Sequence, residues 1–128
     1  MRSLFCLLLV ISLTGCKSDT KFELSKIEGF PSTLIGCSCY YAVNEAEFAA
    51  QKFIYIDSYG EKPGTINIDG NLIAVDPKNT NPQEYQFQFE IETDIQLDQE
   101  KFHKEGVLTV TSPEGAVFKT PFYGECGC

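Results

Sequence analysis

The stretch Glu84-Tyr85-Gln86-Phe87-Gln88-Phe89-Glu90-Ile91-Glu92 decides the fold. Tyr85, Phe87, Phe89 and Ile91 alternate with Gln86, Gln88, Glu90 and Glu92. Successive side chains of an extended chain point to opposite sides, so this period of two makes one apolar face and one wet face. The stretch is a strand with one face on a core. Ile95 and Leu97 keep the same sequence parity beyond Asp94.

The flanking segments read the same way. On the C-terminal side, Gly106 to Thr111 and Ala116 to Phe122 form a hairpin around Ser112-Pro113-Glu114-Gly115. Proline suits the first central position of a type I turn and glycine the left-handed position after it. That register sets Val110 opposite Phe118. Pro121 has no N–H for a ladder, so the last strand is expected at an edge or to stop there.

On the N-terminal side, Thr65 to Val75 is a hairpin around Asp69-Gly70-Asn71, whose residues tolerate positive φ. Either two-residue turn puts Ile66, Ile68, Ile73 and Val75 on one face. Gly60–Gly64 and Pro77–Pro82 read as loops. Phe53 to Ile56 reads as a strand, and Thr33 to Tyr41 as the first core strand. Between them Asn44 is an N-cap with Glu47 three residues on, and Val43 and Phe48 are spaced as a hydrophobic staple. The expectation is therefore an all-β fold, a small antiparallel sandwich or barrel of about seven strands with one short helix near 44–50.

Four cysteines lie in this domain, as Cys37-Ser38-Cys39 and Cys126-Gly127-Cys128. Within a pair, extended backbone puts the thiols on one side about 6.6 Å apart, close to the limit for a bridge. Facing residues on adjacent antiparallel strands are about 4.5–5.5 Å apart, which suits a disulfide better. Antiparallel strands would join Cys37 to Cys128 and Cys39 to Cys126. Parallel strands would join Cys37 to Cys126 and Cys39 to Cys128. In the loop-entropy view, one bridge over so long a loop contributes about 4–5 kcal/mol, and the second much less. The rival readings are a four-thiolate site for zinc or copper(I), and redox exchange. No basic residue flanks either pair in sequence, which disfavours redox exchange.

The N-terminus bears on where such bridges survive. Arg2 is followed by a short apolar run, Leu4 to Leu13, and then by Leu13-Thr14-Gly15-Cys16. A bilayer-spanning helix needs about 20 apolar residues, so residues 1–15 read as a signal peptide. Residues 13–16 resemble the lipobox of bacterial lipoproteins. That resemblance implies cleavage before Cys16, a diacylglycerol on its thiol and a further acyl chain such as palmitate on its new amine. Cys6 leaves with the leader. Residues 16–21 are then a lipidated tether, and residues 22–128 a single domain. In such lipoproteins an Asp directly after the lipid cysteine is an inner-membrane retention mark. Position 17 is Lys, so the resemblance implies the outer membrane of a bacterial cell envelope.

Composition limits the partners. Losing Arg2 takes the formal charge from −8 to −9. Nucleic acid demands a basic face, and so does a polybasic hold on anionic lipid. The membrane partner is therefore reached through the lipid, and any protein partner drawn by charge is basic. Size, acidity and β content are similar to those of lysozyme-inhibiting lipoproteins, which implies a basic hydrolase such as lysozyme as one version of that partner.

Residues for catalysis are missing. The single histidine, His103, sits between Lys101 and Lys104 and reads as solvated. There is no Gly-x-Ser-x-Gly and no phosphate loop. Asn67-x-Asp69-x-Asn71 resembles a calcium loop, but Gly70 is misplaced and position 78 is Lys, so it is a turn. Glu90 and Glu92 belong to a wet face. Tyr40, Tyr41 and Tyr59 fit core and rim packing better than the lining of a sugar or peptide surface, and Trp is absent. The reading is a non-enzymatic binding or structural module with no cofactor and no metal, stapled by Cys37, Cys39, Cys126 and Cys128. Metal binding through the same four thiols is the alternative.

Overall fold

The computed structural model describes residues 22–32, 34, 36–59 and 61–128. The leader, Cys16, the tether, Thr33 and Gly60 lie outside the described residues. Among the described residues nine strands and one helix follow in order: β1 (Ile27–Glu28), β2 (Ser38–Ala42), α1 (Glu45–Ala49), β3 (Lys52–Phe53), β4 (Tyr55–Ser58), β5 (Glu61–Ile68), β6 (Asn71–Val75), β7 (Gln86–Gln96), β8 (Lys101–Thr111) and β9 (Val117–Gly127). Seven form one antiparallel sheet in the order β6-β5-β4-β2-β9-β8-β7, and β1 pairs with β3 in a separate ribbon.

The sheet is curled. β4 and β7 are four steps apart in the order, which is about 19 Å in a flat sheet. Yet Tyr55 of β4 lies 5.1 Å from Phe89 and 5.5 Å from Phe87 of β7, between ring centroids. Only strong coiling brings these rings together. The edges β6 and β7 do not pair, so the sheet is an open curl rather than a closed barrel.

Its concave face carries the main core: Tyr41, Tyr55, Ile66, Leu108, Val110 and Phe122, with Phe87 and Phe89 packed on them. Small residues allow the curl where the chain crowds most. A Cβ on Gly106 would lie 1.9 Å from the Glu90 carbonyl oxygen, and one on Gly124 2.2 Å from that of Tyr40. The convex face of β2 and β4 is covered by the ribbon and the helix, through Ile27, Ala42, Phe53 and Ile56 with Phe48.

Local chemistry explains most elements. Asn44 Oδ1 accepts the Glu47 N–H at 2.8 Å and starts α1. Val43 packs on the concave core while Phe48 packs on the convex one, so the expected staple pair is split between two cores. Asp69 and Gly70 both have positive φ, 52° and 89°, as a type I′ turn requires. That selects Asp69-Gly70 as the turn and puts Ile66 opposite Ile73. Val110 faces Phe118 as expected.

Five further expectations are corrected. The first core strand starts at Ser38 rather than Thr33, because Gly36 turns the chain with φ 83°. The segment read as Phe53 to Ile56 changes sheets midway: Phe53 pairs with Ile27, and Tyr55 with Tyr41. The loop read at Gly60–Gly64 is mostly strand, and Pro63 sits where the β4–β5 register is irregular and no ladder bond is lost.

Pro121 neither ends β9 nor lies on an edge strand, since β9 runs on between β8 and β2. β2 stops at Ala42, opposite Tyr123, so at Pro121 only β8 remains as a partner. Finally, a bulge falls between Ile91 and Thr93. The extra residue reverses the alternation, so Ile95 pairs with His103 and leaves the face that carries Phe87 and Phe89.

Candidate functional site

The two Cys-x-Cys pairs lie on β2 and β9 and in their immediate flanks. These strands are antiparallel, with Cys39 opposite Cys126. Disulfides therefore join Cys39 to Cys126 and Cys37 to Cys128, the antiparallel alternative. They span 87 and 91 residues, and in each pair the Cα atoms are 4.0 Å apart. Cys39 and Cys126 are buried on the concave face, whereas Cys128 is exposed. The Tyr41 hydroxyl lies 3.2 Å from Cys126 Sγ. A disulfide sulfur has no hydrogen, so the phenol is the donor.

The inner bridge is the floor of an open cavity of about 370 Å³. Its apolar walls come from Phe89 and Ile91 of β7 and from Pro77. Its polar groups are Asp57 of β4, Tyr59, Lys78 and Lys104 of β8. Asp57 is buried and accepts the Tyr55 hydroxyl at 2.6 Å. Burial, and then the Asp57 carboxylate, push the Tyr41 and Tyr55 phenols well above the usual tyrosine range. Both stay protonated and act as donors. Lys104 Nζ is 4.0 Å from Asp94, a cross-strand partner at the rim.

Other candidate residues fall elsewhere. Of the three tyrosines considered for a binding surface, Tyr41 and Tyr59 line the cavity, while Tyr40 is on the convex side. There Tyr40 stacks on Phe48 and donates to Glu125, which also meets Lys101 at 3.2 Å. His103 is not solvated: its side chain is 13 % exposed, it packs 4.5 Å from the Tyr123 ring and it contacts Glu105. Asn67 spends its amide on the turn and on the Lys26 carbonyl, as a structural turn residue does. Glu90 and Glu92 are exposed.

Lys104 is the residue that sequence spacing did not reveal. It is far from Cys126 along the chain, and only the β8–β9 register, Lys104 opposite Gly124, brings it beside the bridge. Among the described residues no three His, Cys, Asp or Glu side chains come together as a metal site. Among them, too, no helix is long and apolar enough to cross a membrane. No family model matches the chain, and neither a curated protein nor a solved structure is significantly similar to it.

Proposed function

We propose that this is an exported, lipid-anchored bacterial envelope protein whose domain is a non-enzymatic binding module, with the cavity beside Cys39–Cys126 as its binding site. The observation that carries this is the pair of disulfides, each closing a loop of about ninety residues. Such bridges persist in oxidising compartments outside the cytoplasm. The leader and Leu13-Thr14-Gly15-Cys16 supply the export route and the anchor that such a location needs. A concave, mostly apolar cavity with a few converging polar groups is the usual form of a small-molecule site. The four sulfurs are spent on each other, so a thiolate metal site would require prior reduction.

The test is labelling of cells with a fatty-acid probe. Wild-type protein should take the label and fractionate with membranes, whereas Cys16→Ser should do neither and remain an uncut precursor. The Cys37, Cys39, Cys126 and Cys128 thiols should resist maleimide until reductant is added. Unchanged labelling of Cys16→Ser refutes the anchor. Stoichiometric metal that shields the four cysteines from alkylation refutes the stapled module in favour of a metal carrier.

A further inference from the structure

We propose that the cavity beside the inner disulfide holds a small organic anion with an apolar body, a carboxylate in the simplest case, its charged group between Lys78 and Lys104. This rests on the binding reading above and gives that site its chemistry. Two features of the cavity, one of shape and one of charge, point the same way.

The first is an apolar wall left uncovered. Ile91 shares the concave side with Phe87 and Phe89 but is 44 % exposed, because no other described residue covers it. Burying an isoleucine is worth about 1.5–3 kcal/mol, so leaving it at a cavity mouth forfeits stability. A ligand with an apolar body recovers that burial. About 370 Å³ is near the lower end for ligand sites and holds about twelve waters, so the occupant is small.

The second is charge. The chain carries 18 acidic residues against 10 basic ones, yet Lys78 and Lys104 both line this one cavity. Its single carboxylate, Asp57, is 3 % exposed and held by the Tyr55 hydroxyl, so it belongs to the wall. The Tyr41 phenol is un-ionised and adds no negative charge. Asp94 approaches Lys104 only at 4.0 Å and is half exposed. Exposed pairs of that kind are worth under about 1 kcal/mol, so an anion can replace Asp94 at small cost. A cation would meet two ammonium groups, and a neutral body would leave them unused.

Three matched probes test this: 3-phenylpropionate, 3-phenylpropanol and 3-phenylpropylamine. Equilibrium dialysis uses the full chain in phosphatidylcholine nanodiscs, with empty discs as the blank. The acid should bind best. Lys104→Glu should weaken the acid at least about tenfold, the scale of one lost charge-assisted hydrogen bond, and move the preference towards the amine. Lys104→Gln should weaken the acid with no gain for the amine. Lys119→Gln, on an exposed part of β9, should change nothing. Ile91→Trp, which fills the mouth, should abolish binding of every probe. Melting temperatures establish that each variant is folded.

If the alcohol or the amine binds the wild type as well as the acid, and Ile91→Trp still abolishes it, the anion assignment is wrong while the binding site stands. If no probe binds above the blank, or Ile91→Trp binds as the wild type does, both readings fail.

Discussion

The two halves of the concave face are finished differently. Near the β8–β9 turn, Phe22 packs 5.8 Å from Tyr85 and 6.3 Å from Phe118, and Leu24 follows it into the core. That half is plugged by side chains of the N-terminal segment. At the other half Ile91, Tyr59 and Phe89 surround an open cavity, and two disulfides tie β2 to β9 beneath it. The contrast teaches where covalent staples are useful. A half that buries its aromatics is held by packing. A half that leaves apolar surface open gives up that burial, and cross-links offset the loss by restricting the unfolded chain.

The largest test of this contrast removes the staples. Deleting Cys126 to Cys128 abolishes both bridges and should destabilise the domain by about 4–5 kcal/mol in thermal or urea unfolding. Reductant alone should lower the melting temperature comparably. A reduced protein that melts where the oxidised one does would show that the open half needs no cross-link.

Next in size is the plugged half. Phe118→Ala removes an aromatic packed on Phe22 and on the core, and should cost about 2–3 kcal/mol, less than a fully buried phenylalanine. The matched change in the open half, Ile91→Ala, should cost under about 0.5 kcal/mol, as exposed positions do. Equal losses in urea unfolding would erase the distinction between the halves.

The smallest effects concern the phenols under the cavity. Tyr41→Phe removes the donor to Cys126 Sγ and should cost about 1 kcal/mol. Tyr41 and Tyr55 ionise less readily in the folded chain than in the unfolded one, where tyrosine titrates near pH 10. Their stabilisation is therefore complete below pH 10 and declines as pH rises above it. Unfolding monitored from pH 8 to 11 should show that decline, and a Tyr41→Phe, Tyr55→Phe double variant should flatten it.

Much of the fold was legible because it is written in local signals. Alternation from Tyr85 to Phe89, the left-handed turn at Asp69-Gly70 and the cap at Asn44 each act within a few residues. Their physical causes are pleat geometry, backbone sterics and a side-chain hydrogen bond, and none needs a distant partner. The misread places all depend on neighbours. Pro121 is harmless only because β2 has already ended beside it. Ile95 leaves the face of Phe89 only because a bulge intervenes, and nothing at Glu92 announces it. His103 is shielded only because the β8–β9 register sets its strand beside Tyr123.

The candidate site divides the same way. The cysteine spacing already implied that Cys37 and Cys39 would meet Cys126 and Cys128 if two strands paired, and that either direction would serve. The direction became visible in the folded sheet alone, because antiparallel pairing of β2 with β9 follows from how the whole sheet assembles rather than from cysteine spacing. The charge balance was also legible, but it is an average over the chain. The two lysines beside the inner bridge come from tertiary placement: the strand registers set Lys104 beside the bridge and near Ile91, and folding of the sheet brings Lys78, from the loop after β6, to the same cavity. Local propensity acts over a few bonds, whereas a site assembled from distant segments exists only once the sheet has curled.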